Sequence, residues 1–283
     1  MRGHRVTLCE RRDRLGGTLF FSSLVYEVNG KLAEWLETQV RSLPVDLQLG
    51  REVTPELVRE LAPDVVLVAV GARRELPAIP GADRDEVLGG DDLRSLMTGD
   101  DGRAGARKLS LPQRTALGVG KLLGVSERIG LARRLTRHWM PLGKRVAVVG
   151  GGLVGIELAE FLVERGREVT VLEESQSLAA EMSPPRRWRA LHGLREHGVR
   201  LLSQVQVQAI EDRGVVFAAV GGEGESQVLE TDSVIMATGV LKDTALAEAI
   251  AALGGEVHQL GDCSGVGYIQ GAILDAARTA RAI

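Results

Sequence analysis

Two stretches of this chain are written twice. Arg2-Gly3-His4-Arg5-Val6-Thr7-Leu8-Cys9-Glu10 runs in unbroken register with Arg165-Gly166-Arg167-Glu168-Val169-Thr170-Val171-Leu172-Glu173, and Asp64-Val65-Val66-Leu67-Val68-Ala69-Val70-Gly71 does the same with Asp232-Ser233-Val234-Ile235-Met236-Ala237-Thr238-Gly239. Duplication constrains the fold more than any single motif, because both copies must build the same supersecondary unit. Each run of the second pair has a continuous apolar stretch, Val65 to Val70 and Val234 to Ala237, and is closed by glycine, the pattern of strands buried on both faces of a parallel sheet. Between them the second copy carries Gln204-Val205-Gln206-Val207-Gln208-Ala209-Ile210 and Val215-Val216-Phe217-Ala218-Ala219-Val220, which read as a small antiparallel sheet.

The second copy also holds Gly150-Gly151-Gly152-Leu153-Val154-Gly155. A lone G-x-G-x-x-G is weak evidence, but this one follows the strand-like run Arg145-Val146-Ala147-Val148-Val149 and precedes apolar residues at helical spacing from Leu153 to Arg165, which is the setting that gives it meaning. In that setting Gly150 makes the tight turn, Gly152 lets backbone approach a pyrophosphate, and Gly155 lets helix and strand pack closely. The helix start then offers unpaired N–H groups and a partial positive charge to phosphate. Glu173 closes the next strand, at roughly the 20-residue spacing expected of the acid that hydrogen-bonds a ribose 2′-hydroxyl. Glu174-Ser175-Gln176-Ser177 supplies no cation to offset a 2′-phosphate, so NADH is favoured over NADPH; Arg186 and Arg187 lie further on and are the residues able to reverse that preference by curling back. Glu10 takes the same place in the first copy. The same register puts the first copy's glycine turn ahead of Met1, so the first nucleotide-binding unit is expected to lack its first strand and turn.

Composition sets the remaining bounds. A chain of 283 residues suggests two domains, and a formal charge of −3 with few aromatic residues (Phe 4, Trp 3, Tyr 2) lacks the basic field and stacking surface of a nucleic-acid binder. No apolar run approaches the roughly 18 residues of a membrane span, and a cytoplasmic location is expected. Two cysteines, without C-x-x-C spacing, encode no metal or iron–sulfur site; Cys9 reads as a small core residue and Cys263 as a neighbour of the Gly261-Asp262 corner. The stretch from Gly89 to Gly143 is irregular, with a loop at Gly99–Gly105 and one or two helices across Leu117–Arg137 carrying Lys121, Arg128, Arg133, Arg134 and Arg137. It reads either as a solvated connector or as a docking face for a further domain or a partner subunit.

Together these residues resemble the flavoproteins with two dinucleotide-binding domains, related to the pyridine-nucleotide disulfide oxidoreductases. Glu10 with Leu15-Gly16-Gly17, the strand ends Val70-Gly71 and Thr238-Gly239, the central turn with Glu157, and Gly261-Asp262 carry the resemblance. It implies an α/β fold of two Rossmann-like domains, the NAD domain inserted in the FAD domain, with residues 1–107 and 240–283 forming the FAD domain and 108–239 the NAD domain. It further implies FAD contacts at Glu10, Arg11, Gly16, Gly17, Val53, Gly71, Ala72, Gly239, Gly261, Asp262 and Ile269, with Asp262 bonded to the ribityl chain. NAD contacts are implied at Gly150, Gly152, Gly155, Glu157 and Glu173. Glu157 matches a residue near the nicotinamide, or serves as a helix-start acid complementing the dipole. No thiol pair follows Leu15-Gly16-Gly17, which excludes dithiol chemistry of that family's kind.

The finer likeness, carried by Leu135-Thr136-Arg137-His138-Trp139-Met140-Pro141-Leu142-Gly143-Lys144-Arg145 and Arg186-Arg187-Trp188, is to the carboxy-terminal part of old-yellow-enzyme-like NADH:flavin oxidoreductases such as 2,4-dienoyl-CoA reductase and trimethylamine dehydrogenase. It implies a module that moves hydride from NADH to FAD and on to a second redox centre, an FMN and iron–sulfur barrel in a missing or partner portion. The alternative is a catalytically incompetent nucleotide-binding remnant or interaction domain. No catalytic side chain is singled out.

Overall fold

The computed structural model describes residues 3–90, 92–93, 133–134, 136–137, 140, 142–221 and 225–283. The loop expected at 99–105 and most of the helical stretch expected at 117–137 lie outside them. In chain order the elements are β1 (Val6–Glu10), α1 (Gly17–Val25), α2 (Glu27–Ser42), β2 (Val45–Leu49), α3 (Pro55–Leu61), β3 (Val65–Val68), β4 (Arg73–Arg74), β5 (Val87–Leu88), β6 (Arg145–Val149), α4 (Leu153–Val163), β7 (Glu168–Leu172), α5 (Pro184–Glu196), β8 (Arg200–Leu202), β9 (Val205–Glu211), β10 (Gly214–Ala219), β11 (Gln227–Glu230), β12 (Ser233–Met236), β13 (Val240–Leu241), α6 (Ala245–Ala251), β14 (Glu256–Gln259) and α7 (Tyr268–Ala282). They fall into two compact units. One comprises residues 1–23, 27–73 and 240–283, the other 24–26 and 74–239. The described residues between 74 and 90 therefore group with the inner unit, while position 107 lies outside the described residues.

The inner unit is built on a five-stranded parallel sheet in the order β5-β12-β6-β7-β8. Its strands are short apolar runs because both faces are covered, and Val146 to Val149, Val169 to Leu172 and Ser233 to Met236 are all buried. Alternate residues face opposite ways. Ala147, Val149, Leu172, Val234 and Met236 pack against Ile210, Val215, Phe217 and Leu229 of the antiparallel sheet β11-β10-β9, which is the small sheet expected from residues 204–220. On α4 the residues Ile156, Leu158, Ala159, Phe161 and Leu162 are buried, at the spacing of one helical stripe. Each fully buried aliphatic or aromatic side chain contributes about 1.5–3 kcal/mol.

The outer unit repeats this plan only in part. Strand β1 pairs in parallel with β2, from Val6 opposite Val45 to Glu10 opposite Leu49, and β3 pairs in parallel with β14. In the inner unit, β6 joins the counterparts of β1 and β3, which are β7 and β12. Among the described residues of the outer unit no strand makes that join. The consequence is visible in burial: Val6 is 47% and Leu67 44% exposed, so the expectation that the run from Asp64 to Gly71 is buried on both faces fails for want of a second ladder partner. The core here is small, Val68, Ala247 and Ile250 with Val53, Val58, Val66, Leu246 and Val257 around them. Helix α7 buries none of its residues, and Ile273 and Leu274 stand exposed on it. Cys9, expected in a core, is only half-buried and lies 3.9 Å from Gln48.

Candidate dinucleotide site

The site of the inner unit lies at the carboxyl ends of its strands, where β6 and β12 diverge in chain order; crevices at such a reversal are where open parallel sheets take their ligands. After Val149 the chain turns through Gly150 at φ +105°, a conformation that L side chains avoid. The turn is tied down by Gly150 N–H donating to Leu172 O at 2.8 Å and Ala237 N–H donating to Val149 O at 2.8 Å. Gly155 sits over it so closely that a Cβ there would lie 1.9 Å from Gly150 O. Gly152 then caps the start of α4 with extended backbone. The three glycines fall on one compact strand-turn-helix, with Gly150 at the turn and Gly155 at the close contact of helix and turn. A cavity of about 80 Å³ with Met236, Thr238, Arg74 and Asp92 among its lining opens at the end of β12.

Glu173 follows directly on β7 and ties the turn to the strand. Its Oε2 accepts from Gly151 N–H at 2.6 Å and its Oε1 from Ser175 N–H at 2.8 Å. The two arginines able to reverse the cofactor preference are engaged elsewhere. Arg186 makes a two-pronged pair with Glu160 at 3.0 and 2.5 Å, which raises its pKa above the usual guanidinium value. Arg187 Nε donates to Leu178 O at 2.7 Å. Arg186 is thus paired with a carboxylate, whereas Arg187, bonded to a neutral carbonyl of the loop that packs on Gly151, keeps its positive charge.

The duplication extends to individual hydrogen bonds. In the outer unit Glu10 Oε1 accepts from Arg12 N–H at 2.9 Å, Arg51 N–H donates to Glu10 O and Gly50 N–H to Arg12 O; in the inner unit Val205 N–H donates to Glu173 O and Gln204 N–H to Ser175 O. The corner around the acid is therefore present twice. The glycine turn, with Gly151 bonded to the acid, is present once among the described residues. Of the other residues implied for FAD, Arg11 and Gly16 are exposed, and Gly17 begins α1. Val53 packs on the small core, Gly71 and Ala72 are half-buried just after β3, and Gly239 ends the inner unit. Asp262 Oδ1 accepts from both Gly267 N–H and Tyr268 N–H at 2.9 Å, so it caps α7, on whose first turn Ile269 is half-buried. Cys263 is fully buried and donates to Val68 O and Leu260 O. The described residues fit a dinucleotide in the inner unit; those described in the outer unit repeat the acid's corner without a second glycine turn of this kind.

Glu157 lies half-buried on the first turns of α4, and burial, with Glu160 adding to it and Arg186 opposing, pushes its carboxyl above the usual range. The native state therefore holds this proton more tightly than the unfolded chain, and the contribution to stability falls as pH rises from the ordinary carboxylate value through the native one. Glu157→Gln is expected to raise the thermal midpoint at neutral pH, with the difference vanishing on acidification below about 4.5, the ordinary value. Paired melting curves at neutral and acid pH check this, and an equal shift at both would remove burial as the cause.

A family model described as pyridine nucleotide-disulphide oxidoreductase matches residues 3–262. The chain belongs to that family. Its members bind FAD and NAD(P)H and act as flavin-dependent oxidoreductases. Within it, the chain is 30% identical over 267 residues to a bilirubin reductase of Mediterraneibacter gnavus, covering 93% of this chain and 34% of that protein. It is 28% identical over 278 residues to an NADH oxidase of Thermoanaerobacter brockii, covering 96% and 36%. The solved structure of a 2-naphthoyl-CoA reductase in complex with 2-naphthoyl-CoA matches at 26% identity with a TM-score of 0.77, over 100% of this chain and 36% of that one. The chain thus spans about a third of the length of the curated relatives it matches. Among the described residues, no helix is long and apolar enough to cross a membrane.

One residue at this corner carried no signal in the sequence. Glu181 Oε2 accepts from Leu153 N–H at 3.2 Å, although it lies in an aperiodic loop well past Glu173.

Proposed function

We propose that this chain is the electron-input module of a flavin oxidoreductase: it binds NADH in the inner unit and passes the hydride toward FAD, from which electrons go on to an FMN and iron–sulfur centre carried by a barrel portion or partner subunit. The observation that carries the reading is the corner formed by Gly150 to Gly155 and Glu173, with Arg186 paired to Glu160. Gly152 and the first N–H groups of α4 receive the pyrophosphate, and Glu173 accepts from a ribose 2′-hydroxyl. The nicotinamide supplies hydride when bound; the chain's share is to hold it, and transfer needs reacting atoms at roughly 3–3.5 Å. The likeness to an NADH oxidase and to reductases that are about three times as long supports a module feeding a further centre. The further domain assignment, FAD to residues 1–107 and 240–283 and NAD to 108–239, belongs to the same reading.

A second reading, a nucleotide-binding domain without flavin of its own, is favoured by the divided sheet and single ribose corner of the outer unit. Colour separates the two. Protein reconstituted with FAD that is yellow and bleaches on anaerobic addition of NADH supports the electron-input role. Colourless protein whose melting temperature rises with NADH supports the second reading and removes hydride transfer to FAD.

A further inference from the structure

We propose that Glu181 is a built-in occupant of the phosphate corner, so that the free protein holds its own carboxylate where the dinucleotide's pyrophosphate goes and nucleotide must expel it. The inference rests on the assignment of the inner unit as the dinucleotide site. An ideal Cβ on Gly152 would lie 3.1 and 3.6 Å from the two oxygens of Glu181. The carboxylate therefore covers the face that the missing side chain leaves open to phosphate. Its Oε2 takes Leu153 N–H at 3.2 Å, while Glu173 takes Gly151 N–H. Two N–H groups of the turn, with the positive end of α4 behind them, are thus answered by two internal carboxylates, the charge that such a helix start favours.

The position of Glu181 is set by its loop. Leu178, Ala179 and Met182 are buried at 6%, 0% and 7% exposure, Ala179 N–H donates to Gly151 O at 2.7 Å, and Met182 N–H donates to Ala179 O at 3.0 Å. Ala179 holds φ +48°, a left-handed conformation that an alanine adopts only where its surroundings impose it. Arg187 bonds Leu178 O from the following helix. Glu181 itself is exposed, so rotation of its side chain alone vacates the corner without unpacking the loop.

The consequence is a lowered affinity common to every ligand that carries the pyrophosphate. An exposed carboxylate at a helix start holds its place weakly, so Glu181→Gln, which keeps the shape and removes the charge, is expected to lower Kd about two- to fivefold. The gain should be the same for NADH, NADPH and ADP-ribose and absent for adenosine. Glu196→Gln, which removes an equal charge from the far end of α5, controls for net charge and should change nothing. The test is calorimetric titration of the three proteins with these four ligands, with a melting curve confirming that each is folded. Equal Kd for NADH in the wild type and Glu181→Gln, weaker binding in the variant, or a gain shared by adenosine or by Glu196→Gln overturns the proposal while leaving the site assignment standing. Failure of NADH to bind either folded protein removes the assignment and the proposal together.

Discussion

Gly155→Ala is expected to cost the inner unit its dinucleotide site and a large share of its stability. The added Cβ would stand 1.9 Å from Gly150 O and 2.9 Å from Gly150 C, with the Ala237 methyl at 3.4 Å on the other side. None of these is the end of a flexible side chain. Relief requires the turn carbonyl or the whole of α4 to move, yet the turn is fixed by the bond from Gly150 N–H to Leu172 O and by that from Ala237 N–H to Val149 O just before it, and α4 is fixed by Ile156, Leu158, Phe161 and Leu162 in the core. Overpacking of this kind costs typically about 1–3 kcal/mol, more where backbone must shift. The N–H groups meant for phosphate move with the turn, so NADH affinity should fall at least about tenfold, as a misplacement of some 1 Å is enough to do. Denaturant titration and NADH binding on the same preparations check both; a variant with unchanged midpoint and unchanged Kd would show that the helix does not press on the turn.

The inner unit was legible in the sequence because its signals are local. The run Arg145–Val149, the spaced glycines and the acid after β7 each constrain only their immediate neighbours, and the duplicated register places the closing strand. The antiparallel sheet followed from alternation in residues 204–220. Contacts between residues distant in sequence were not legible. Nothing in the order of residues says that Arg186 is taken by Glu160, that Arg187 is taken by a backbone carbonyl, or that Glu181 returns to Leu153 N–H.

The outer unit shows the opposite limit. Its run from Asp64 to Gly71 is as apolar as its copy, but apolarity records what a strand tolerates, and burial depends on the partners available. With β14 its one ladder partner among the described residues, β3 leaves Leu67 exposed. The same holds for α7, whose Ile273 and Leu274 are apolar and stand exposed among the described residues. Asp262 illustrates a competition between roles: one of its oxygens serves the start of α7, a use as natural for an acid at a helix N-terminus as a ribityl contact.

On the proposed reading Glu173 carries the cofactor preference, and its loss is the second large effect expected. It makes two charge-assisted hydrogen bonds to backbone and offers the 2′-hydroxyl an acceptor. Hydrogen bonds to a charged group are worth about 1.5–3 kcal/mol each, so Glu173→Ala should weaken NADH binding about ten- to a hundredfold. NADPH should lose less, because the same change removes the carboxylate that repels its 2′-phosphate. Discrimination then narrows from both sides. The direct measurement is a titration of wild-type protein and Glu173→Ala with NADH and NADPH in parallel, at one salt concentration. Saturable NADH binding at least about tenfold tighter than NADPH in the wild type, collapsing toward parity in the variant, is the predicted result. Equal affinities in the wild type, or discrimination that survives loss of Glu173, would contradict it.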